Sequence, residues 1–293
     1  MSQASNARRN KTTNPAPPSG TQVVSHYENF PVASILCPPA FRPAIAAIYW
    51  FARTADDLAD EGDAPPDQRL ADLEAYRADL MACAAGQAAS SRWAEVFERL
   101  QPVILAFRLP VHLLVDLLSA FEQDIVKTRY ASQAELLDYC SRSANPVGRL
   151  LLHLYGVQDS ISLAQSDSIC SALQLVNFWQ DLSRDIPNGR IYLPADSWQV
   201  HAVEETQLLE LRLNRETTAL VAANVAWAQA LMAQGAPLVK AVPGRAGWEL
   251  RLVVQGGLRI AEKIEQLGFA TLRQRPKINA WDVVVMAWRA LRM

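Results

Sequence analysis

Apolar residues recur at intervals of three and four along most of this 293-residue chain, which is the pattern of amphipathic α-helices. No stretch alternates between apolar and polar residues as a half-buried β-strand would. A helix over 69–86 is predicted to end at Gly86, and one that starts at Ser90 is predicted to stop near Pro110. The same pattern predicts further helices at 111–129, 133–142, 145–156, 166–184, 205–233, 246–266 and 279–291. The fold class is therefore predicted to be all-α.

The first 24 residues differ from the rest of the chain. They are polar, carry Arg8, Arg9 and Lys11 without an acidic residue, and lack the apolar core of a signal peptide. We interpret residues 1–24 as a disordered basic tail, with a weak tether to an anionic membrane as the alternative. Residues 25–293 show no internal linker and are predicted to form a single all-α domain.

Composition narrows the class of function. Half of the residues are hydrophobic, which suffices for a large core, and a net charge of −2 gives no indication of nucleic-acid binding. The four cysteines are scattered and the four histidines have no zinc-ligand spacing. No apolar run is long enough to span a bilayer. We expect a cytoplasmic protein with reduced thiols, and peripheral contact with the inner membrane stays open.

Carboxylates crowd the end of the first strongly apolar helix, in the stretch FARTADDLADEGD. Asp56 and Asp60 are four residues apart and share one helix face, and Asp57 and Glu61 form an adjacent pair. Like charges at this spacing cost roughly 0.2–0.5 kcal/mol per pair, and a bound cation would reverse that penalty. An acidic surface stripe is the alternative reading of this stretch alone.

The pattern returns in the stretch QLVNFWQDLSRDIPNGRIYLP. Asp181 and Asp185 are again four apart, Asn177 lies one turn earlier, and Gln174 extends this polar stripe along an otherwise apolar helix. A ridge of oxygen ligands in apolar surroundings needs partners, and carboxylates with water and phosphate are typical ligands of Mg²⁺. Two such ridges facing each other across an apolar pocket predict ionisation of an allylic or cyclopropylcarbinyl diphosphate. The spacing excludes an EF-hand, and no histidine is placed as in a metalloprotease.

At these residues the chain resembles the squalene/phytoene synthase family, over about residue 25 to the end. The shared positions are Arg53, Asp56, Asp57 and Asp60 in the first stretch, Tyr139, Val147 and Gly148 in YCSRSANPVGRLL, and Gln174, Asn177, Asp181, Asp185, Arg190, Tyr192 and Pro194 in the second. The resemblance implies the all-α isoprenoid synthase bundle with a central cavity. It also implies two or three Mg²⁺ ions bound with a prenyl diphosphate substrate.

Finer features resemble the hydroxysqualene synthases of bacterial hopanoid pathways, notably YENFPVAS, SANPVG and NFWQDLSRD. That branch implies that presqualene diphosphate is ionised and rearranged and that water captures the cation, with no NADPH. It also implies two companions, a presqualene diphosphate synthase and a flavin-dependent reductase. Most family members have Arg where this chain has Gln180, and loss of an Arg removes a bidentate phosphate partner. We hypothesise that Asn145 holds the capturing water.

The resemblance assigns further roles. Metal ligands are predicted at Asp56, Asp57, Asp60, Asn177, Asp181 and Asp185; catalytic roles at Asp56, Asp60, Asp181, Asp185, Asn145 and Tyr139; and substrate or diphosphate contacts at Arg53, Gln174, Asn177, Arg190, Tyr192, Tyr27, Asn29, Val147, Gly148 and Phe178.

Alternatives stay open for several of these residues. Arg53 could simply pair with Asp57, Arg190 and Tyr192 could cap a turn, and Tyr139 and Phe178 could be ordinary core aromatics. The basic run of residues 273–277 could close over diphosphate or be solvated. Two other functions are also open: a complete head-to-head synthase that uses farnesyl diphosphate, and a catalytically inactive assembly protein.

Overall fold

The computed structural model describes residues 37–293, and every named element in this range is a helix. The helices are α1 (Arg42–Asp60), α2 (Pro66–Ala84), α3 (Ala94–Phe107), α4 (Val111–Val126), α5 (Gln133–Ser143), α6 (Asn145–Leu154), α7 (Ser160–Gln180), α8 (Leu182–Asp185), α9 (Ala195–Val200), α10 (Glu205–Leu209), α11 (Arg215–Gly235), α12 (Leu238–Ala241), α13 (Gly244–Gln266) and α14 (Ala280–Ala290), with a 3₁₀ turn at Ser91–Trp93. A single isolated bridge, between Arg129 and Ile191, is the extent of β pairing in these residues. The all-α prediction is confirmed.

Two helices organise the packing. α1 contacts α2, α3 and α4 around a core that contains the stacked rings of Phe51 and Tyr76, 5.1 Å apart. α7 contacts α5, α6, α11, α12 and α13, and its Trp179 is completely buried. α4 contacts α1 and α2 on one side and α5 and α6 on the other. The two helices that end in the aspartate-rich stretches are therefore each fixed by a core of their own.

Glycines allow two helices to approach α7 closely. A Cβ on Gly148 of α6 would collide with the Ser166 hydroxyl and lie 2.5 Å from the Cys170 sulfur. A Cβ on Gly235 of α11 would lie 2.5 Å from the backbone oxygen of Gln165. Gly235 requires glycine for the observed packing because its Cβ would meet backbone, whereas a Cβ on Gly148 would force two side chains of α7 to shift.

The predicted helix boundaries were wrong in two places. The predicted helix 205–233 is two helices, because Leu211 adopts a left-handed φ of 51° and Asn214 then caps α11 through a reciprocal capping box with Thr217. The predicted helix 166–184 leaves regular geometry at Asp181, where φ is −101° and ψ is 10°, before α8 begins. The amides of Asp181 and Asp185 still donate to the carbonyls four residues earlier, so the predicted polar stripe is kept.

Other expectations concern the thiols and the chain's ends. All four cysteines are buried and free, as predicted for reduced thiols. In the described part of the chain, no helix has the length and apolar character needed to cross a membrane. The basic tail and the candidate residues Tyr27 and Asn29 lie outside the described residues.

Candidate active site

The first aspartate-rich stretch occupies the last two turns of α1, where Arg53 gathers its acidic neighbours. One guanidinium nitrogen of Arg53 lies 2.6 Å from Asp57 and 2.8 Å from Glu61, and the other lies 3.3 Å from Asp56. Burial raises the pKa of Asp57, Arg53 opposes this rise, and Glu61 adds to it. The ion pair that sequence reasoning left as an alternative therefore exists. It also places a guanidinium directly beside Asp56.

The second aspartate-rich stretch follows the end of α7. Arg275 donates two hydrogen bonds to the carboxylate of Asp181, from Nε to Oδ1 and from Nη2 to Oδ2. The second of these is 3.4 Å long. Asp185 is largely surrounded by protein. Its pKa is raised to about 7, mainly by burial and secondly by repulsion from Asp181. Arg275 belongs to the basic run of residues 273–277, so at least one member of that run faces the site rather than solvent.

Arg190 joins the two stretches. Its guanidinium donates to both carboxylate oxygens of Asp60, at 2.5 and 3.1 Å, across a separation of 130 residues. It also lies 3.5 Å from the backbone oxygen of Asp124, and its charge stabilises the ionised form of Asp185. The hydrogen bonds that Arg190 donates to Asp60 are the main reason that the pKa of Arg190 is raised. The carboxyl-terminal ends of α1 and α7 therefore meet at one guanidinium.

Asp124, near the end of α4, is a member of this cluster that sequence reasoning missed. Its Oδ2 accepts the Tyr139 hydroxyl at 2.8 Å, while its Oδ1 is buried and has no hydrogen-bond partner. Burial raises its pKa to about 7; the Tyr139 and Arg190 interactions lower it and the charges of Asp60 and Asp56 raise it again. α4 also carries Asp116 and Glu122, so the sequence did not distinguish Asp124 from its acidic neighbours.

Aromatic rings pack against the acidic cluster. The rings of Phe178 and Tyr192 are stacked 3.7 Å apart with an angle of 7°. Tyr139 lies 6.2 Å from Phe178, and Tyr130 lies 5.5 Å from Tyr139 and 5.9 Å from Tyr192. Burial raises the pKa of Tyr192 and of Tyr139, so both hydroxyls stay neutral. The predicted aromatic residues thus form one group next to the carboxylates, although each also packs in the core.

An apolar cavity of about 80 Å³ lies between α1, α6, α7, α12 and α13. Its lining includes Ile45 from the first turn of α1, Gly148 and Leu151 from α6, and Cys170 and Leu173 from α7. The cavity meets α1 in its first turn and α7 near its middle, and both helices lead from it toward the acidic cluster around Arg190.

The rise along each helix gives the distance from the apolar cavity to the carboxylates. The rise from Ile45 to Asp56 is about 16 Å, and that from Leu173 to Asp181 is about 12 Å. The apolar cavity and the carboxylates are therefore separated by roughly 12–16 Å along these helices.

Comparison with known proteins agrees with this architecture. The family model for squalene/phytoene synthase matches residues 23–282. The chain belongs to the squalene/phytoene synthase family.

Individual relatives refine the comparison. A hydroxysqualene synthase of Sinorhizobium fredii is 32% identical over 238 residues, which is 81% of this chain and 78% of the relative. A presqualene diphosphate synthase of Rhodopseudomonas palustris is 33% identical over 180 residues, 61% of this chain and 62% of the relative. The crystal structure of the squalene synthase HpnC from Alicyclobacillus acidocaldarius matches with a TM-score of 0.77 and 36% identity, covering 84% of this chain and 90% of that one. The isoprenoid synthase fold is thus shown.

Four polar residues of this family member have local contacts that bear on their predicted roles. Asn145 is buried and its Oδ1 accepts the Ser171 hydroxyl at 2.9 Å, which fixes the orientation of its amide. Gln180 is buried and donates to the backbone oxygen of Pro276 at 2.7 Å. Gln174 and Asn177 are half-buried on α7. Gln180 therefore holds the chain before α14 against α7.

The two predicted residues of α6 fall on different surfaces. Gly148 lines the apolar cavity, as the expected substrate contact would. Val147 is half-buried and packs against the core around α1.

The family implies a divalent cation. The candidate oxygen ligands are therefore compared with the ligands that such a cation requires. In the described residues, no three acidic, histidine or cysteine side chains converge closely enough to hold a metal ion in the present arrangement. Asp60 and Asp181 are paired with arginines instead. The oxygen donors nevertheless suit Mg²⁺ in kind, and the partnerless Oδ1 of Asp124 marks an excess of buried negative charge. The residues fit a hard cation that arrives together with an anion for the arginines.

Proposed function

We propose that this protein is a hydroxysqualene synthase, which converts presqualene diphosphate and water into hydroxysqualene and diphosphate. The observation that carries the proposal is the cluster of carboxylates interleaved with arginines at the ends of α1 and α7, with an apolar cavity between the same helices. A diphosphate matches the charged cluster, and a long hydrocarbon attached to it could extend toward the cavity. Two findings favour this branch. A relative that is 32% identical is a hydroxysqualene synthase. Gln180, which stands where most family members have Arg, donates its hydrogen bond to the backbone oxygen of Pro276.

Arg53, Arg190 and Arg275 are the proposed diphosphate ligands. Each now faces aspartates, and a guanidinium binds phosphate with the same planar fork of N–H donors that it offers to a carboxylate. If the arginines bind the diphosphate instead, the aspartates lose these partners and would hold the metal. Asp56 and Asp60 lie on one side, and Asp181 and Asp185 on the other. Bound Mg²⁺ would neutralise the diphosphate and make it a better leaving group. Asp57 and Asn177 complete the proposed ligand set.

The hydrocarbon is proposed to lie along the apolar end of the site. The cavity of about 80 Å³ is smaller than the roughly 300–1,000 Å³ of typical ligand pockets, so its side chains must move apart to admit the substrate. Leu151 and Leu173 line the cavity, and a side chain at Gly148 would have to displace the Ser166 hydroxyl and the Cys170 sulfur of α7.

The reaction breaks the bond between carbon and the diphosphate oxygen, and the pair of electrons leaves with diphosphate. The rings of Tyr139, Phe178 and Tyr192 are the proposed stabilisers of the positive charge during rearrangement, because their faces are negative. The hydrogen bond between Asp124 and Tyr139 fixes the orientation of the first ring.

Water then forms the new carbon–oxygen bond and must lose a proton. Asp124 is the proposed acceptor, because a pKa of about 7 suits a general base and its Oδ1 has no other partner. The water is proposed to be held by the amide of Asn145. If an Asn145→Ala variant no longer makes hydroxysqualene, that role is supported. An unchanged yield of hydroxysqualene would contradict it.

The complete head-to-head synthase is the second candidate, favoured by a presqualene diphosphate synthase that is 33% identical to this chain. A product assay separates the two. Purified protein with Mg²⁺ and without NADPH is given presqualene diphosphate in one tube and farnesyl diphosphate in another, and extracts are read by mass spectrometry.

A C30 alcohol from the first tube alone would support the proposed reaction. Consumption of farnesyl diphosphate would replace it with the complete synthase. Folded protein that is silent in both tubes would point to an assembly protein. Asp181→Asn is the inactive reference, and Asp63→Asn, an exposed carboxylate in the turn after α1, is the matched control. The companion synthase, the flavin-dependent reductase and the cytoplasmic location remain predictions.

A further inference from the structure

The last helix presents its apolar residues to solvent. On α14, Trp281 is 69% exposed, Val284 56% and Trp288 51%, and Leu291 just beyond the helix is 66% exposed. Their spacings of three, four and three residues place all four on one helix face. This stripe, Trp281, Val284, Trp288 and Leu291, is called the α14 face below.

The opposite side of α14 is fixed to the body of the protein by ion pairs, and Met286 and Ala290 also pack there. Asp282 is buried and pairs with Arg259 and Lys263 of α13, each at 2.7 Å, and Arg289 pairs with Glu262. A reciprocal capping box between Asn279 and Asp282 begins the helix. The usual amphipathic arrangement is therefore inverted: ion pairs hold α14 in place while its apolar side faces outward.

Charge distinguishes the partners that could cover the α14 face. Residues 244–293 contain nine basic and four acidic side chains, a net charge of +5, whereas the whole chain carries −2. Arg292 stacks on Trp288 at 3.6 Å, and Arg251 of α13 stacks on Trp248, itself 41% exposed, at 4.5 Å. Tryptophan next to arginine is typical of segments that lie at the boundary between lipid headgroups and acyl chains.

A second copy of the chain fits this surface less well. Two such regions would bring like charges together, and the α14 face offers roughly 500 Å² of exposed side chain, below the about 800 Å² per partner of a standard protein interface. Insertion into a bilayer needs no large flat partner, and anionic lipids attract basic residues by about 1 kcal/mol each.

We propose that the α14 face docks on the surface of an anionic lipid bilayer. The tryptophans and Leu291 enter the boundary between headgroups and acyl chains, while Arg251 and Arg292 contact the anionic headgroups. This inference does not depend on the proposed reaction, since it rests on exposure and charge outside the active site.

The test is binding of the full-length protein to vesicles. We expect it to sediment with vesicles of phosphatidylcholine that contain about one third phosphatidylglycerol, and much less with phosphatidylcholine alone. The Trp281→Ser, Trp288→Ser double variant should lose about tenfold or more of its vesicle partitioning. The control is a Val200→Ser, Leu209→Ser double variant, which removes exposed apolar side chains from α9 and α10 and should bind as wild type does.

Charge reversal gives an independent arm. Arg292→Glu should weaken binding to anionic vesicles and leave the weak binding to phosphatidylcholine unchanged. Equal vesicle binding by wild type and the tryptophan variant would overturn the proposal. So would a change confined to the oligomeric state in vesicle-free solution, measured by sedimentation velocity, which would assign the α14 face to a second copy of the chain.

Discussion

Removal of the charge on Asp124 tests the electrostatics of the site directly. In an Asp124→Asn variant the side chain keeps its shape, and its oxygen can still accept the Tyr139 hydroxyl. The folded-state pKa is about 7, compared with 3.8 for a free aspartate, chiefly because of burial. At about 1.36 kcal/mol for each tenfold change in acidity, the ionised carboxyl lowers the free energy of unfolding by about 4 kcal/mol at pH 8.

The sign of the pH dependence follows from the direction of the shift. Because the folded-state pKa of Asp124 is raised, the protonated form favours the fold. The penalty is nearly absent at pH 4, grows as the pH rises toward 7, and is complete above it. In the variant, the buried amide group at the position of Oδ1 has no partner, which lowers the free energy of unfolding by about 1–3 kcal/mol. This effect is the same at every pH. Relative to wild type, the variant should therefore gain about 2.5 kcal/mol between pH 5 and pH 8.

Urea denaturation followed by circular dichroism, in the presence of a chelator, measures this difference at pH 5 and pH 8. Asp63→Asn is the control, since its exposed carboxylate should give the same small effect at both pH values. A difference between Asp124→Asn and wild type that does not change with pH would refute the assigned electrostatics. The same variant should also lose most of its turnover, so stability and activity are expected to change in opposite directions at pH 8.

Three further predictions test the packing and the charge pairs. Gly235→Ala should cost about 2–3 kcal/mol in thermal unfolding because its Cβ meets the backbone of α7, whereas Gly256→Ala, with no atom nearer than 3.5 Å, should be neutral or stabilising by up to about 1 kcal/mol. Arg190→Gln should lower product formation about 100-fold or more at unchanged helicity, while Arg212→Gln, which breaks an exposed pair, should leave it unchanged. Asp282→Asn should cost about 2–3 kcal/mol at pH 7 in urea denaturation. Burial alone would raise the pKa of Asp282, but hydrogen bonds from its partners lower it to about 2, so the wild-type advantage should disappear as the pH falls from 4 toward 2.

Local features of the fold could be predicted because they depend on neighbours in sequence. The three- and four-residue periodicity determined that the chain is helical, and the four-residue spacing of Asp56 and Asp60, and of Asp181 and Asp185, placed each pair on one face. The break near Leu211 was missed, since the cap at Asn214 outweighs a periodicity that continues through it.

Relations between distant residues required the tertiary structure. Arg190 reaches Asp60 across 130 residues, and Arg275 reaches Asp181 across 94, because the packing of the whole helical bundle brings these distant segments together. Asp124 has no signal of its own in sequence, and its high pKa results from burial and from charges on other helices.

The α14 helix shows the same division. Its apolar spacing predicts a helix at 279–291, and by itself that spacing also suggests a core-facing side. In the structure, the side with Asp282, Met286, Arg289 and Ala290 faces α13, through ion pairs as well as apolar contacts, and the tryptophans face outward. The sequence by itself determined the helices and the chemical character of their faces, because both depend on residues within a few positions of each other. Only the tertiary structure decided which faces meet, because a contact between two helices depends on the packing of the whole core.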